Sequence, residues 1–119
     1  GTSMGAIIGG CAAWGIQAEQ LLSLAEDIST LELFSPLHLD FSRGGIFDGK
    51  AVRKLFAGWV SSAHIQDCMI PFVAIAYDLI RKRSILIDKG PLADAMRASS
   101  SLPFIFAPVE IGDYLLVDG

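Results

Sequence analysis

A serine stands between two glycines in Gly1-Thr2-Ser3-Met4-Gly5. This G-x-S-x-G spacing lets a strand turn sharply into a helix with the hydroxyl exposed, because glycine tolerates the crowding. Such a hydroxyl becomes a nucleophile only when a neighbouring base takes its proton and donors stabilise the oxyanion that forms. A donor is partly built in. If Met4 begins a helix, its backbone N–H is unsatisfied and sits at the positive end of the helix dipole. The base is the open question. A Ser-His-Asp triad in the chain order serine, acid, histidine needs a late histidine. The two histidines are His38 and His64, both before Pro71, and none follows Asp78, Asp94 or Asp118. Each reads as a solvated or core residue, and the pentapeptide by itself also fits an ordinary glycine-rich turn.

The remaining reactive side chains point to little further chemistry. Cys11 and Cys68 lie in apolar surroundings without C-x-x-C spacing, so buried free thiols are expected in place of a disulfide or a metal site. No cluster of oxygen ligands stands at loop spacing for calcium. Nine basic against thirteen acidic residues leave a net charge of -4, and beyond Arg81-Lys82-Arg83 the cations form no stripe, which argues against nucleic acid as a partner. That triplet reads as a solvated hairpin turn.

The elements that must position these residues follow from hydrophobic pattern. Met4 to Trp14 is small and apolar on nearly every face, as in a helix buried on all sides. Leu21, Leu24, Ala25 and Ile28 fall at i, i+3, i+4, i+7, which predicts an amphipathic helix with an acidic outer face. Pro36 and Ser42-Arg43-Gly44-Gly45 mark a loop, and Asp48 is a candidate N-cap for a helix running to Phe56. Pro71 to Asp78 reads as a buried strand, with Ser84 to Asp88 as its hairpin partner. Pro91 opens a helix carrying Leu92, Ala95 and Met96 inward, stopped by Ser99-Ser100-Ser101 and Pro103. Tyr114 to Val117 is a last strand, delivering Asp118-Gly119. Helices alternate with strands, so the class is α/β.

The tail carries more. Ala98-Ser99-Ser100-Ser101-Leu102-Pro103, then Phe106-Ala107-Pro108-Val109, then a strand into Asp118-Gly119 resembles the patatin-like phospholipase family, in which A-S-x-S-x-P, F-x-P-V and Asp-Gly follow in this order. The opening GTSMGAIIGG looks like that family's nucleophile elbow, and Ile70 to Leu79 is similar to its central strand. The resemblance implies a three-layer sandwich with a central mixed sheet flanked by helices, and a Ser-Asp dyad without histidine. Ser3 is then the nucleophile and Asp118 its proton acceptor, with the Met4 backbone N–H as one oxyanion donor. A carboxylate, ordinarily ionised at neutral pH, can take a serine proton directly. On this reading Asp78 is a turn carboxylate that holds a loop, and the three serines end a helix and pack closely.

The family also places a G-G-G-x-R-G loop ahead of the serine, and its N–H groups supply most of the oxyanion hole. Residues 1–119 are therefore expected to be the catalytic segment of one larger patatin-like domain of bacterial type, with that loop upstream of Gly1. A hydrophobic share of 52% against 18% charged, with a mean hydropathy of +0.51, fits a piece whose interior face is open. The implied function is a serine acyl hydrolase of the lipase or phospholipase A type, acting on lipid esters through an acyl-enzyme. No cofactor and no metal are implied. Peripheral membrane contact and a cytoplasmic location are expected from the lipid substrate, the free cysteines and the lack of a readable leader. Two other readings compete: an α/β-hydrolase esterase using His38 or His64, and a non-catalytic interaction or structural module. Leu33, Phe34, Trp59 and Phe104-Ile105-Phe106 are candidates for an acyl pocket, with core packing the favoured alternative.

Overall fold

The computed structural model describes residues 1–30 and 49–119, with the side chains of 28–30 outside that description. The loop at Pro36 and Ser42–Gly45, the Asp48 cap, His38, Leu33 and Phe34 all lie outside the described residues.

Four helices and four strands are formed among the described residues: α1 (Met4–Trp14), α2 (Ala18–Thr30), α3 (Lys50–Val60), β1 (Ala74–Asp78), β2 (Arg83–Ile87), α4 (Leu92–Ser99), β3 (Val109–Ile111) and β4 (Tyr114–Asp118). A short 3-10 turn at Ile65–Asp67 precedes β1. The class is α/β, as expected. The strands lie in the order β2-β1-β4-β3, each antiparallel to its neighbours. A parallel bridge between Thr2 and Ile75 supplies the mixed character. This arrangement is compatible with part of the sandwich that the sequence implies.

Helix α1 is buried on one side only, a correction to the all-round burial its composition suggests. Ala6, Ile7, Gly10, Cys11 and Ala13 are buried, whereas Met4 is 43% exposed. Gly10 explains the close packing, since a Cβ there would meet Leu92 and Met96 of α4 at 3.2 Å. The helix ends in a Schellman turn: Gly15, at φ 113, donates to Ala12 O and Ile16 N donates to Cys11 O, both at 3.0 Å. In α3 the apolar residues Val52, Phe56 and Val60 recur every fourth position and are buried. The cap position there falls on Gly49, which makes no side-chain cap. Its φ of 68 and the Arg97 guanidinium, which occupies the space a Cβ would need, both favour glycine.

β1 starts at Ala74, three residues after Pro71, and Pro91 precedes α4 as an extended cap residue. The strand Val109–Ile111, only three residues long, has no period for a sequence pattern to reveal. Ile7, Cys11, Phe56, Val60, Leu92 and Met96 centre the main core, joining α1, α3 and α4. Ala76, Ala98, Val109 and Leu116 form a second cluster, where α4 lies on the sheet. Trp59 packs against the main core with its ring 5.3 Å from Phe56. Both cysteines are free, but only Cys11 is fully buried, and burial pushes its thiol up to about 11. Cys68 is half-exposed, and its thiol is raised by partial burial and by the neighbouring Asp67 charge.

Candidate active site

The site arises because two segments approach each other along one edge of β1. Strand β2 occupies the other edge over residues 74–78, so Thr2, paired in parallel with Ile75, shares its edge with β4. Gly1 and Thr2 run up beside Val73–Ile75: Gly1 N donates to Val73 O at 2.7 Å and Ile75 N to Gly1 O at 2.9 Å. Strand β4 runs down the same edge and reaches Ala76 with Asp118. Where they meet, the chain after Thr2 turns off into α1. Ser3 and Asp118, 115 positions apart, therefore become neighbours, and Ser3 Oγ donates a hydrogen bond to Asp118 Oδ2 at 2.6 Å.

Ser3 has φ 53 and ψ -127, a conformation that residues with a side chain rarely adopt. It persists because its surroundings over-determine it. The Ser3 N–H is shared between Ser99 O and Ser99 Oγ, both at 3.1 Å, and the Ser99 hydroxyl donates to Ile75 O at 2.6 Å. The Ser3 carbonyl accepts from Ala6 N at 2.9 Å and Ile7 N at 3.2 Å, opening α1. On the other side, Asp118 N donates to Ser101 O at 2.9 Å. The C-terminal end of α4 thus holds Ser3 through Ser99 and Asp118 through Ser101. Ser100 and Ser101 meanwhile donate to Met96 O and Arg97 O, each at 2.8 Å, satisfying the last carbonyls of the helix. The sequence assigns these serines to helix ending and close packing, and the structure adds that Ser99 also fixes the elbow. The signal available for that role is the A-S-x-S-x-P motif.

Ser3 and Asp118 are both half-buried, open enough for a reactant to approach. The Met4 N–H, the first of α1, has no acceptor among the described residues and lies immediately after the hydroxyl-bearing residue. His64 belongs to a different environment. It is exposed, its Nδ1 lies 3.1 Å from Ser62 O, and its backbone bridges to Pro91. Among the described residues no group of three His, Cys, Asp or Glu side chains is placed to hold a metal ion. No helix there is long and apolar enough to cross a membrane.

Asp78 is fully buried, and it holds a loop as its place at the strand end implies. Its Oδ1 accepts from Ile80 N at 3.1 Å and Leu115 N at 3.4 Å, and its Oδ2 from Arg81 Nη1 at 2.9 Å. Arg81 also bonds the Asp113 carboxylate at 2.5 Å and stacks over Tyr114 at 4.4 Å from the ring centre. The basic triplet is exposed at the β1–β2 hairpin turn, as expected, and the structure adds that Arg81 also pairs with Asp78 at i, i+3, the spacing that points to it. Burial alone would raise the Asp78 carboxyl, but the Arg81 guanidinium and the two amide donors outweigh it and hold it below its ordinary value. A lowered native pKa stabilises the fold above the unfolded-state value of about 3.9, and that contribution fades as pH falls through the native value. Asp78→Asn is therefore expected to melt below the parent at pH 7. The gap should narrow in melting curves taken below pH 4, and a gap independent of pH would show that the charge is irrelevant.

The same chain has relatives among known proteins. The family model described as patatin-like phospholipase matches residues 1–119. An uncharacterised NTE family protein of Mycobacterium bovis is 32% identical over 119 residues, covering 100% of this chain and 33% of the relative. A Mycobacterium tuberculosis protein of the same description matches with the same identity and coverage. Another from that organism is 30% identical over 123 residues, spanning 20% of its own length. The chain spans about a third or less of the curated relatives it matches.

Proposed function

Since the chain belongs to the patatin-like phospholipase family, we propose that it provides the acyl-transfer residues of a lipid acyl hydrolase, with Ser3 as nucleophile and Asp118 as general base. Family membership supports lipid acyl hydrolysis at the family level. The observation that carries the finer reading is the 2.6 Å hydrogen bond from Ser3 Oγ to Asp118 Oδ2, within reach for direct proton transfer.

As Ser3 Oγ attacks the ester carbonyl, its proton passes to Asp118. The tetrahedral oxyanion faces the Met4 N–H, a donor of the kind whose removal costs about a hundred- to a thousandfold in rate. Collapse breaks the bond to the alcohol, which leaves with the proton from Asp118, and the acyl group remains on Ser3. Water then gives a proton to the regenerated carboxylate as it attacks the acyl-enzyme. The fatty acid departs, and the proton returns to Ser3. Reactants of this kind are fatty acyl esters of lipids, phospholipids included. The exposure of His64 and its contact with Ser62 count against His64 as the base of an esterase.

Incubating the protein with an alkyl fluorophosphonate and reading intact mass tests this reading. One covalent adduct is expected, mapping to Ser3, absent in Ser3→Ala and suppressed in Asp118→Asn, while His64→Ala labels as the parent does. A folded protein that takes no label would favour the non-catalytic module, and loss of label in His64→Ala would favour the esterase.

A further inference from the structure

The stretch Pro103-Phe104-Ile105-Phe106 does not behave as one apolar block. Phe106 is buried in the main core, and Leu102 and Ile105 pack against it. Phe104 is 86% exposed at the tip of the same turn, the most exposed large apolar side chain among the described residues. Its φ is 70, in the left-handed region that an aromatic residue rarely occupies. The tip is not free to relax, because Ile105 N and Phe106 N both donate to Leu102 O, at 3.2 and 3.0 Å. The fold therefore bears two costs, strain and an exposed ring, to point this phenyl at solvent. Such strain clusters at functional sites.

The turn springs from Ser101, whose carbonyl holds Asp118 N at 2.9 Å. Three residues on, Phe104 is tethered within about 11 Å of Ser101. Met4, which follows Ser3, is also partly exposed. Apolar groups thus flank the hydroxyl–carboxylate pair from both of the segments that form it. An exposed tip is unsuited to wrapping a single acyl chain and suited to entering a lipid surface, where peripheral proteins bury Trp, Phe and Leu side chains. The net charge of -4 favours a zwitterionic or neutral surface over an anionic one.

We propose that Phe104 anchors the protein on a zwitterionic or neutral lipid surface beside the Ser3–Asp118 site. The inference rests on the hydrolase reading for its choice of lipid, and its test separates the two. In a Ser3→Ala background, the protein is sedimented with phosphatidylcholine vesicles, with and without Phe104→Ser or Phe104→Gly. Glycine accepts the positive φ without strain, so that variant is expected to fold at least as well. Either change is expected to weaken partitioning roughly tenfold or more. The Phe104→Trp variant retains binding, and the emission of its added indole shifts to the blue when vesicles are supplied. With Ser3 intact, hydrolysis of a monomeric short-chain ester by the Phe104 variants stays within about twofold of the parent, while hydrolysis of vesicle substrate falls with partitioning.

Equal partitioning of parent and variants would overturn the anchor. So would indole emission in the Phe104→Trp variant that is already blue without vesicles, since another part of the protein would then cover the ring, or a parallel loss on monomeric ester. Vesicle binding in the Ser3→Ala background requires no turnover. Failed hydrolysis with intact, Phe104-dependent binding sinks the hydrolase reading alone, and turnover with Phe104-independent binding sinks the anchor alone.

Discussion

Asp118→Asn is expected to leave the fold intact and to slow ester hydrolysis by on the order of a thousandfold, with the loss in kcat and little change in KM. Asparagine matches aspartate in size, its Oδ1 can still accept the Ser3 hydroxyl, and the Asp118 N–H keeps its bond to Ser101 O. The amide cannot take up a proton at working pH. The substitution therefore removes basicity and retains geometry, which is the separation the mechanism requires. A variant within tenfold of the parent in kcat, with an unchanged melting curve, would make Asp118 a structural partner of Ser3 and leave the base unassigned.

That experiment has no second base to contend with among the described residues at the site. Ser99 is engaged in both directions, accepting from Ser3 N and donating to Ile75 O. Asp78 is committed to Arg81, Ile80 and Leu115. Each of these polar groups already has a structural task, and the carboxylate on the Ser3 hydroxyl is Asp118.

The pairing of Ser3 with Asp118 was legible only through the resemblance to patatin-like phospholipases, which the order of the elbow, A-S-x-S-x-P, F-x-P-V and Asp-Gly motifs carries. What motif order could not convey is why they meet. That depends on Thr2 and β4 using one edge of β1 from opposite directions, a long-range register with no local trace. The helices were readable where a period ran for several turns, as in α2, whereas α3, read from a cap candidate to Phe56, runs on to Val60. The exposure of Met4 was not, because the composition of α1 is apolar throughout and carries no directional signal. The split of Phe104 from Phe106 was hidden for the same reason: two phenylalanines two positions apart are alike to any pattern, and only the turn around Leu102 sends them opposite ways. Arg81 is an exposed turn cation that also pairs with a buried carboxylate three residues earlier, and a run of three basic residues does not reveal that unless the two are weighed together.

The two glycines of the motif are expected to answer differently to alanine. A Cβ on Gly1 would stand 2.5 Å from Gly5 O and 2.7 Å from Gly5 C, backbone atoms in the first turn of α1. No side chain can rotate away, so the strand or the helix must move. Gly1→Ala should therefore cost toward the upper end of the roughly 1–3 kcal/mol typical of overpacking. Because the displaced turn follows Ser3, hydrolysis should fall with stability. Gly5 has nothing within 4 Å of an added Cβ, and alanine there gains roughly 0.5–1 kcal/mol of helix stability. The first glycine thus lets strand and helix approach at the elbow, while the second leaves space at the surface next to Met4. On the proposed mechanism that space lies beside the oxyanion donor, so Gly5→Ala should melt higher than the parent yet raise KM for bulky lipid esters more than for short ones. Melting curves and a chain-length series separate the roles. If Gly5→Ala destabilises the protein as much as Gly1→Ala does, both glycines serve packing, and the open surface beside Met4 has no part in admitting a reactant.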